Sequence, residues 1–115
     1  MDWTIRYSAS FRKQAKKLPR AVVARIDDKL RNTLAKTPHP QIRLKGVEGY
    51  EGLWRYRVGE YRVLCRIYDE ERVIISVYAA HRSVVYDRIP VDRAHPSIDE
   101  IKDEPTEARL RWQQM

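Results

Sequence analysis

The chain has 115 residues, room for one domain with a single modest core and too little for two. Its 23 Lys and Arg against 16 Asp and Glu give a net charge of +7, which suits a polyanion, an acidic protein partner or simply a well-solvated surface. One cysteine, Cys65, excludes an internal disulfide framework and fits a reducing cytoplasm, and no apolar run reaches the roughly 18 residues that span a bilayer.

The charge is uneven. Residues 1–88 hold 19 basic and 10 acidic side chains, net +9, whereas 89–115 hold 4 and 6, net −2. This predicts a basic domain over 1–88 followed by an acidic extension over 89–115.

In chain order, Trp3, Ile5 and Tyr7 alternate as in a half-buried strand. Residues 10–40 read as two helices: Ser8 or Ser10 caps the first, Pro19 breaks the pair, and Val22, Ile26, Leu30 and Thr33/Leu34 form one apolar stripe before Pro38 and Pro40 stop it. Three strand-like runs follow, Leu53 to Val58, Tyr61 to Tyr68 and Val73 to Ala80. The predicted class is α+β, two N-terminal helices packed on a small, mostly antiparallel sheet.

Gly59-Glu60 has the form of a two-residue hairpin loop with glycine first, as a type II′ turn requires. The implied register sets Val58 opposite Tyr61, Arg57 opposite Arg62 and Trp54 opposite Cys65. Trp54, Tyr56, Val58, Tyr61, Val63 and Cys65 then share a core face, and Arg55, Arg57, Arg62 and Arg66 share the other. Reading "DEE" as a three-residue loop places Val73, Ile75, Val77 and Ala79 in the core and Ser76, Tyr78, Ala80 and Arg82 with the arginines. On this reading the arginine face is exposed and unpaired within the chain. It faces either a phosphate backbone, matched by planar guanidinium forks, or only solvent, with arginine stems covering apolar surface.

The stretch "LKGVEGYEGLWRYRVGEYRVLCRIYDEERVIISVYAAHRSVVY" resembles the RelE branch of the RelE/ParE bacterial toxin superfamily: a basic residue and glycine, tryptophan-arginine, a glycine turn, tyrosine-arginine-valine, an acidic turn, a β-branched strand, histidine-arginine and a later tyrosine. The resemblance covers residues 3 to 88. It implies the toxin of a type II toxin–antitoxin pair, a cytoplasmic endoribonuclease that cleaves mRNA in the ribosomal A site without metal or other cofactor. Its partners would be mRNA, the ribosome and an antitoxin with an acidic segment.

By position, the resemblance assigns Arg62 to the phosphate, Arg55 to its neighbourhood, Tyr86 to the catalytic region, and His81 and Arg82 to the closing motif. Lys45, Arg57 and Arg66 fall on the RNA-binding surface. Tyr86 is either catalytic or a packing aromatic, and His81 either an acid–base group or a structural histidine on the core side. Glu48, Glu51 and Glu60 are further candidates for the base. Leu53 and Ala80 stand where the better-known branch carries cations. Two other functions stay open: a ParE-like inhibitor of DNA gyrase acting by protein contact, and a non-catalytic RNA- or ribosome-binding module. In the tail, Leu110 and Trp112 are expected to dock on an apolar patch.

Overall fold

A computed structural model describes residues 2–83. Tyr86 and the extension with Leu110 and Trp112 lie outside the described residues. β1 (Thr4–Tyr7) leads into α1 (Ala9–Ala15) and α2 (Arg20–Lys29), and after a short 3-10 turn at Pro40–Arg43 come β2 (Lys45–Gly46), β3 (Leu53–Val58), β4 (Tyr61–Tyr68) and β5 (Val73–His81). The sheet runs β1-β5-β4-β3-β2, antiparallel except where β1 lies parallel to β5. No described helix is long and apolar enough to cross a membrane.

The helices form where the sequence predicts. Ser8 caps α1 by accepting the backbone N–H of Phe11 at 3.0 Å. Pro19 stands at the N-cap of α2, with residue 20 starting the helix. The apolar stripe continues into a π-helical turn, Leu30–Leu34, closed by the Ala35 N–H donating to the Leu30 carbonyl. The Ala35 carbonyl then accepts the Trp3 N–H at 2.7 Å, so the wider turn ties α2 to the start of β1.

One core lies between helices and sheet: Ile5, Tyr7, Phe11, Val23, Ile26, Leu30 and Leu34 meet Tyr56, Val58, Val63 and Cys65. Within it the Tyr7 hydroxyl donates to Asp27 at 2.5 Å, and Asp27 also holds the Arg31 guanidinium at 2.7 Å, so the paired carboxylate is not left without partners.

The β3–β4 register is the predicted one. Val58 faces Tyr61, Arg57 faces Arg62 and Trp54 faces Cys65. Gly59 has φ +58 while Glu60 stays out of the left-handed region, as a type II′ loop needs.

The β5 register differs from expectation. Tyr68 pairs with Val73, so the loop has four residues, Asp69 to Arg72, and Arg72 takes the left-handed conformation at φ 55. This inverts the first half of β5: Ser76 faces the helices beside Cys65, and Val73, Ile75 and Val77 go to the other face. A bulge opposite the Leu64–Cys65 step then inserts Val77 and restores the expected parity, so Ala79 faces the helices and Tyr78 and Ala80 the arginine side.

The second face is therefore not an exposed field. Leu53, Leu64, Val73, Ile75, Val77 and Ala80 form a buried cluster there, with Val47 and three tyrosines, Tyr50, Tyr68 and Tyr78. The sheet is buried on both faces, which explains why β5 reads as a nearly continuous apolar run.

Burial makes the core sensitive to alkali. It pushes the Cys65 thiol from 9.0 up to about 12, against a smaller opposing effect of Ser76, and the Tyr7 phenol lies well above 10.0 through burial and Asp27. Both groups bind their protons more tightly folded than unfolded, so their contribution is full below the unfolded pKa and is lost as pH rises towards the folded one. Stability, and with it the melting temperature, should fall from about pH 9, by up to about 1.4 kcal/mol per pH unit for each of the two groups. In Cys65→Ala the fall should begin nearer pH 10, where Tyr7 takes over. Calorimetric melts between these pH values check it; an unchanged onset would show that Cys65 is not the titrating group.

Candidate phosphate-binding face

Arg55 and Arg57 on β3 and Arg62 and Arg66 on β4 point to the second face, and Lys45 on β2 pairs opposite Arg55. The alternation of the hairpin puts them there: each apolar residue turned to the helices sends its arginine neighbour the other way. Arg57 and Arg62 stand on one rung, a like-charge pairing that costs ladder stability. The Arg62 guanidinium is held below its ordinary pKa, first by partial removal from water, then by Arg57, Arg55 and Arg82, with Glu60 pulling the other way. Three cations therefore act on Arg62.

These arginines have partners within the chain, contrary to the sequence reading. Arg62 donates to the carbonyls of Gly59 and Tyr61, both at 3.0 Å. Arg66 donates to the Glu51 carbonyl at 2.9 Å, and Arg82 pairs with Glu60 at 2.8 Å with both side chains largely in solvent. Carbonyls orient guanidiniums without cancelling their charge, and an exposed ion pair contributes little. The side chains around Arg62 are positioned and still cationic.

Arg82 lies just past β5, where its N–H donates to the Glu60 carbonyl at 2.8 Å and ties the end of the sheet to the hairpin turn. His81 is not brought to the arginines. It pairs opposite Tyr61, which packs against the helix-side core, and its ring meets Tyr61 edge-on at 5.6 Å. The Ser83 N–H donates to His81 Nδ1 at 3.2 Å, which leaves the proton of a neutral ring on Nε2. His81 is exposed at the sheet end, so it is not a buried structural histidine. Ala80 sits beside Arg62 and Leu53 opposite Arg66, and both belong to the apolar cluster, so neither position adds a cation to this face. Among the described residues no group of three or more His, Cys, Asp or Glu is placed to hold a metal.

Sequence reasoning missed one positioning device. Gly52 has φ +77, and a Cβ there would come within 2.5 Å of an Arg66 terminal nitrogen, so glycine lets Arg66 lie flat over the turn and reach Glu51. The glycine itself was the available signal. Tyr78, expected on the arginine side, borders the second cluster together with Tyr50 and Tyr68, which the sequence did not single out.

The fold and this face define a small basic α+β protein whose sheet carries clustered arginines. The sequence matches the family described as the ParE toxin of type II toxin–antitoxin systems, parDE, over residues 5–86. The chain belongs to this family, within the RelE/ParE superfamily. Among solved structures it resembles a RelBE toxin–antitoxin complex of Mycobacterium tuberculosis, at TM-score 0.65 and 26% identity, covering 71% of this chain and 100% of that one. It also resembles the archaeal RelE–RelB complex of Pyrococcus horikoshii, at TM-score 0.56 and 26% identity over 71% and 97% of the two chains. The free form of an Escherichia coli RelE mutant shares the fold at TM-score 0.59 and 19% identity, over 76% and 93%. A comparison with curated protein sequences gives no match.

Gly52→Ala should destabilise the protein by about 1 kcal/mol, from the positive φ, and free Arg66 from Glu51. A melting temperature lowered by about 4 °C checks this. An unchanged one would mean that the turn relaxes around the added methyl group.

Proposed function

We propose that this toxin is a metal-independent, ribosome-dependent mRNA endoribonuclease of the RelE kind, which stops translation by cutting mRNA in the A site. The observation that carries the reading is the convergence of Arg55, Arg57 and Arg82 on Arg62. Such a cluster suits a phosphate passing through a pentacoordinate, more highly charged state.

In the reaction, the 2′-hydroxyl of one nucleotide attacks the adjacent phosphorus and the 5′-oxygen of the next leaves, giving a cyclic phosphate and a free 5′-hydroxyl. Arg62 and Arg57 hold the non-bridging oxygens, Arg55 lies beside them, and Arg82 closes the site from the turn. Lys45 and Arg66 contact the flanking backbone. Proton transfer falls to Tyr86, His81 or a glutamate. His81 has Nε2 to offer but opens towards the helix side, so it serves only a strand that passes over the end of the sheet. Glu60 is engaged by Arg82.

A protein partner follows from the same charge. Several of the similar structures are toxin–antitoxin complexes, and a +9 body is matched by an antitoxin whose acidic, partly disordered segment folds onto it. A ribosomal target places the toxin in the cytoplasm. The ParE description of the matched family favours a second reading, inhibition of DNA gyrase by protein contact.

Brief induction without antitoxin should produce new 5′ ends within translated transcripts while plasmid supercoiling holds. Intact transcripts with falling supercoiling would establish the gyrase reading instead. Arg62→Ala should lower cleavage by about a hundredfold or more and leave the melting temperature unchanged or raised, because it removes one of two opposed charges. A variant that melts lower and still cleaves would refute the role of Arg62.

A further inference from the structure

On the helix side of the hairpin, an open cleft of about 550 Å³ lies between α2, the 3-10 turn and β3. Arg25 and Lys29 enter it from α2, Ile42 and Arg43 from the 3-10 turn, and Tyr56 and Arg57 from β3. No carboxylate lines it among the described residues, and none of these four cations has an ion-pair partner there. Arg43 donates to the Thr37 hydroxyl at 3.1 Å and bears on the Tyr56 phenol, and Arg25 lies against Gly59, whose added Cβ would meet its guanidinium at 3.2 Å. Arg25 and Lys29 are four apart on one helix, a like-charge spacing that disfavours α2.

Arg57 belongs to both surfaces. By register it faces Arg62, yet it also lines this cleft. The geometry has a simple origin: β2 has only two residues, which pair with Trp54 and Arg55, so β3 is an uncovered sheet edge at Arg57. A side chain there can reach around the edge. Arg62, Arg57, Arg43, Arg25 and Lys29 thus form a continuous cationic track from one side of the sheet to the other.

We propose that single-stranded RNA held at Arg62 continues around the free edge of β3 at Arg57 and lays its next phosphates in the cleft of Arg25, Lys29 and Arg43. This inference rests on the reading that RNA is the target. An open groove of guanidiniums and an ammonium suits a phosphodiester strand, which needs spaced cations. An amphipathic acidic helix needs a broad apolar floor, and here Ile42, 76% exposed, supplies one isolated contact.

The test measures binding of a fluorescent oligouridylate, long enough to round the edge, to the full chain across salt concentrations, with a uridine dinucleotide as the probe of the Arg62 face alone. Arg25→Glu/Lys29→Glu should weaken the oligonucleotide about tenfold or more and reduce the log–log salt slope by roughly one to two, with the dinucleotide unaffected. Arg25→Gln/Lys29→Gln should give a smaller loss in the same direction, and so keeps the test informative if charge reversal perturbs folding. An unchanged slope, or an equal loss for the dinucleotide, would overturn the track. So would intact RNA binding with lost binding of an oligoglutamate peptide, which would assign the cleft to an acidic protein segment. Oligonucleotide binding that shows the predicted loss in a protein that cuts no transcripts would uphold the track and sink the nuclease reading; cleavage with an unchanged slope would do the reverse.

Discussion

Two arginines opposed on one rung of an antiparallel ladder, Arg57 and Arg62, are the constraint around which this molecule is arranged. Like charges at that distance oppose strand pairing, so the hairpin must be held by other means. The type II′ turn at Gly59 closes it, backbone carbonyls orient Arg62, and the helix-side cluster of Tyr56, Val58, Val63 and Cys65 clamps the opposite face. Burying several such side chains, each worth about 1.5–3 kcal/mol, exceeds the repulsion of a partly solvated pair. A fold that carries this cost keeps a cationic surface ready for an anion that arrives from outside.

The second apolar cluster changes how that surface is to be understood. The arginines surround a greasy floor of Leu53, Leu64, Ile75, Val77 and Ala80, instead of lying on a polar sheet. Their stems have apolar surface to lie on while their heads stay at the rim. An apolar floor also lowers the local dielectric, which strengthens the pull of the rim on any anion near it. Leu53 and Ala80 belong to this floor, and the charge around it is concentrated on Arg55, Arg57, Arg62 and Arg82.

How far the sequence could be read depends on where each register is set. The β3–β4 pairing was legible because Gly59-Glu60 specifies both loop length and turn type, and everything from Trp54 to Cys65 follows by alternation. The β4–β5 pairing was not, because its loop ends on Arg72 in a conformation usually taken by glycine or asparagine, and no residue announces it. What holds Arg72 there is tertiary: its guanidinium lies 4.8 Å from the Trp3 ring and its carbonyl accepts the Thr4 N–H. The bulge at Val77 was equally hidden, since in a run apolar on both faces an inserted valine disturbs no pattern. The candidate site fared better than the strand behind it, because Arg55, Arg57 and Arg62 all hang on the legible hairpin. Strand alternation puts His81 on the helix side, where the sequence leaves open an acid–base or a structural role; ending the strand at that position is what exposes it.

Fold alone does not separate the branches of this superfamily, because the same helices and sheet can present either a reactive face or a binding face. The distinction has to come from charge placement. A surface that recognises a protein needs one complementary patch with apolar anchors near its centre, and the cations can be spread over it. Here the cations converge on one guanidinium, lie on orienting carbonyls, and continue around an unprotected sheet edge into a second basic groove. Convergence on a point suits one phosphate, and continuation along a line suits a chain of them. A two-residue β2 permits both, because a longer strand would cover Arg57 and divide the two basic surfaces.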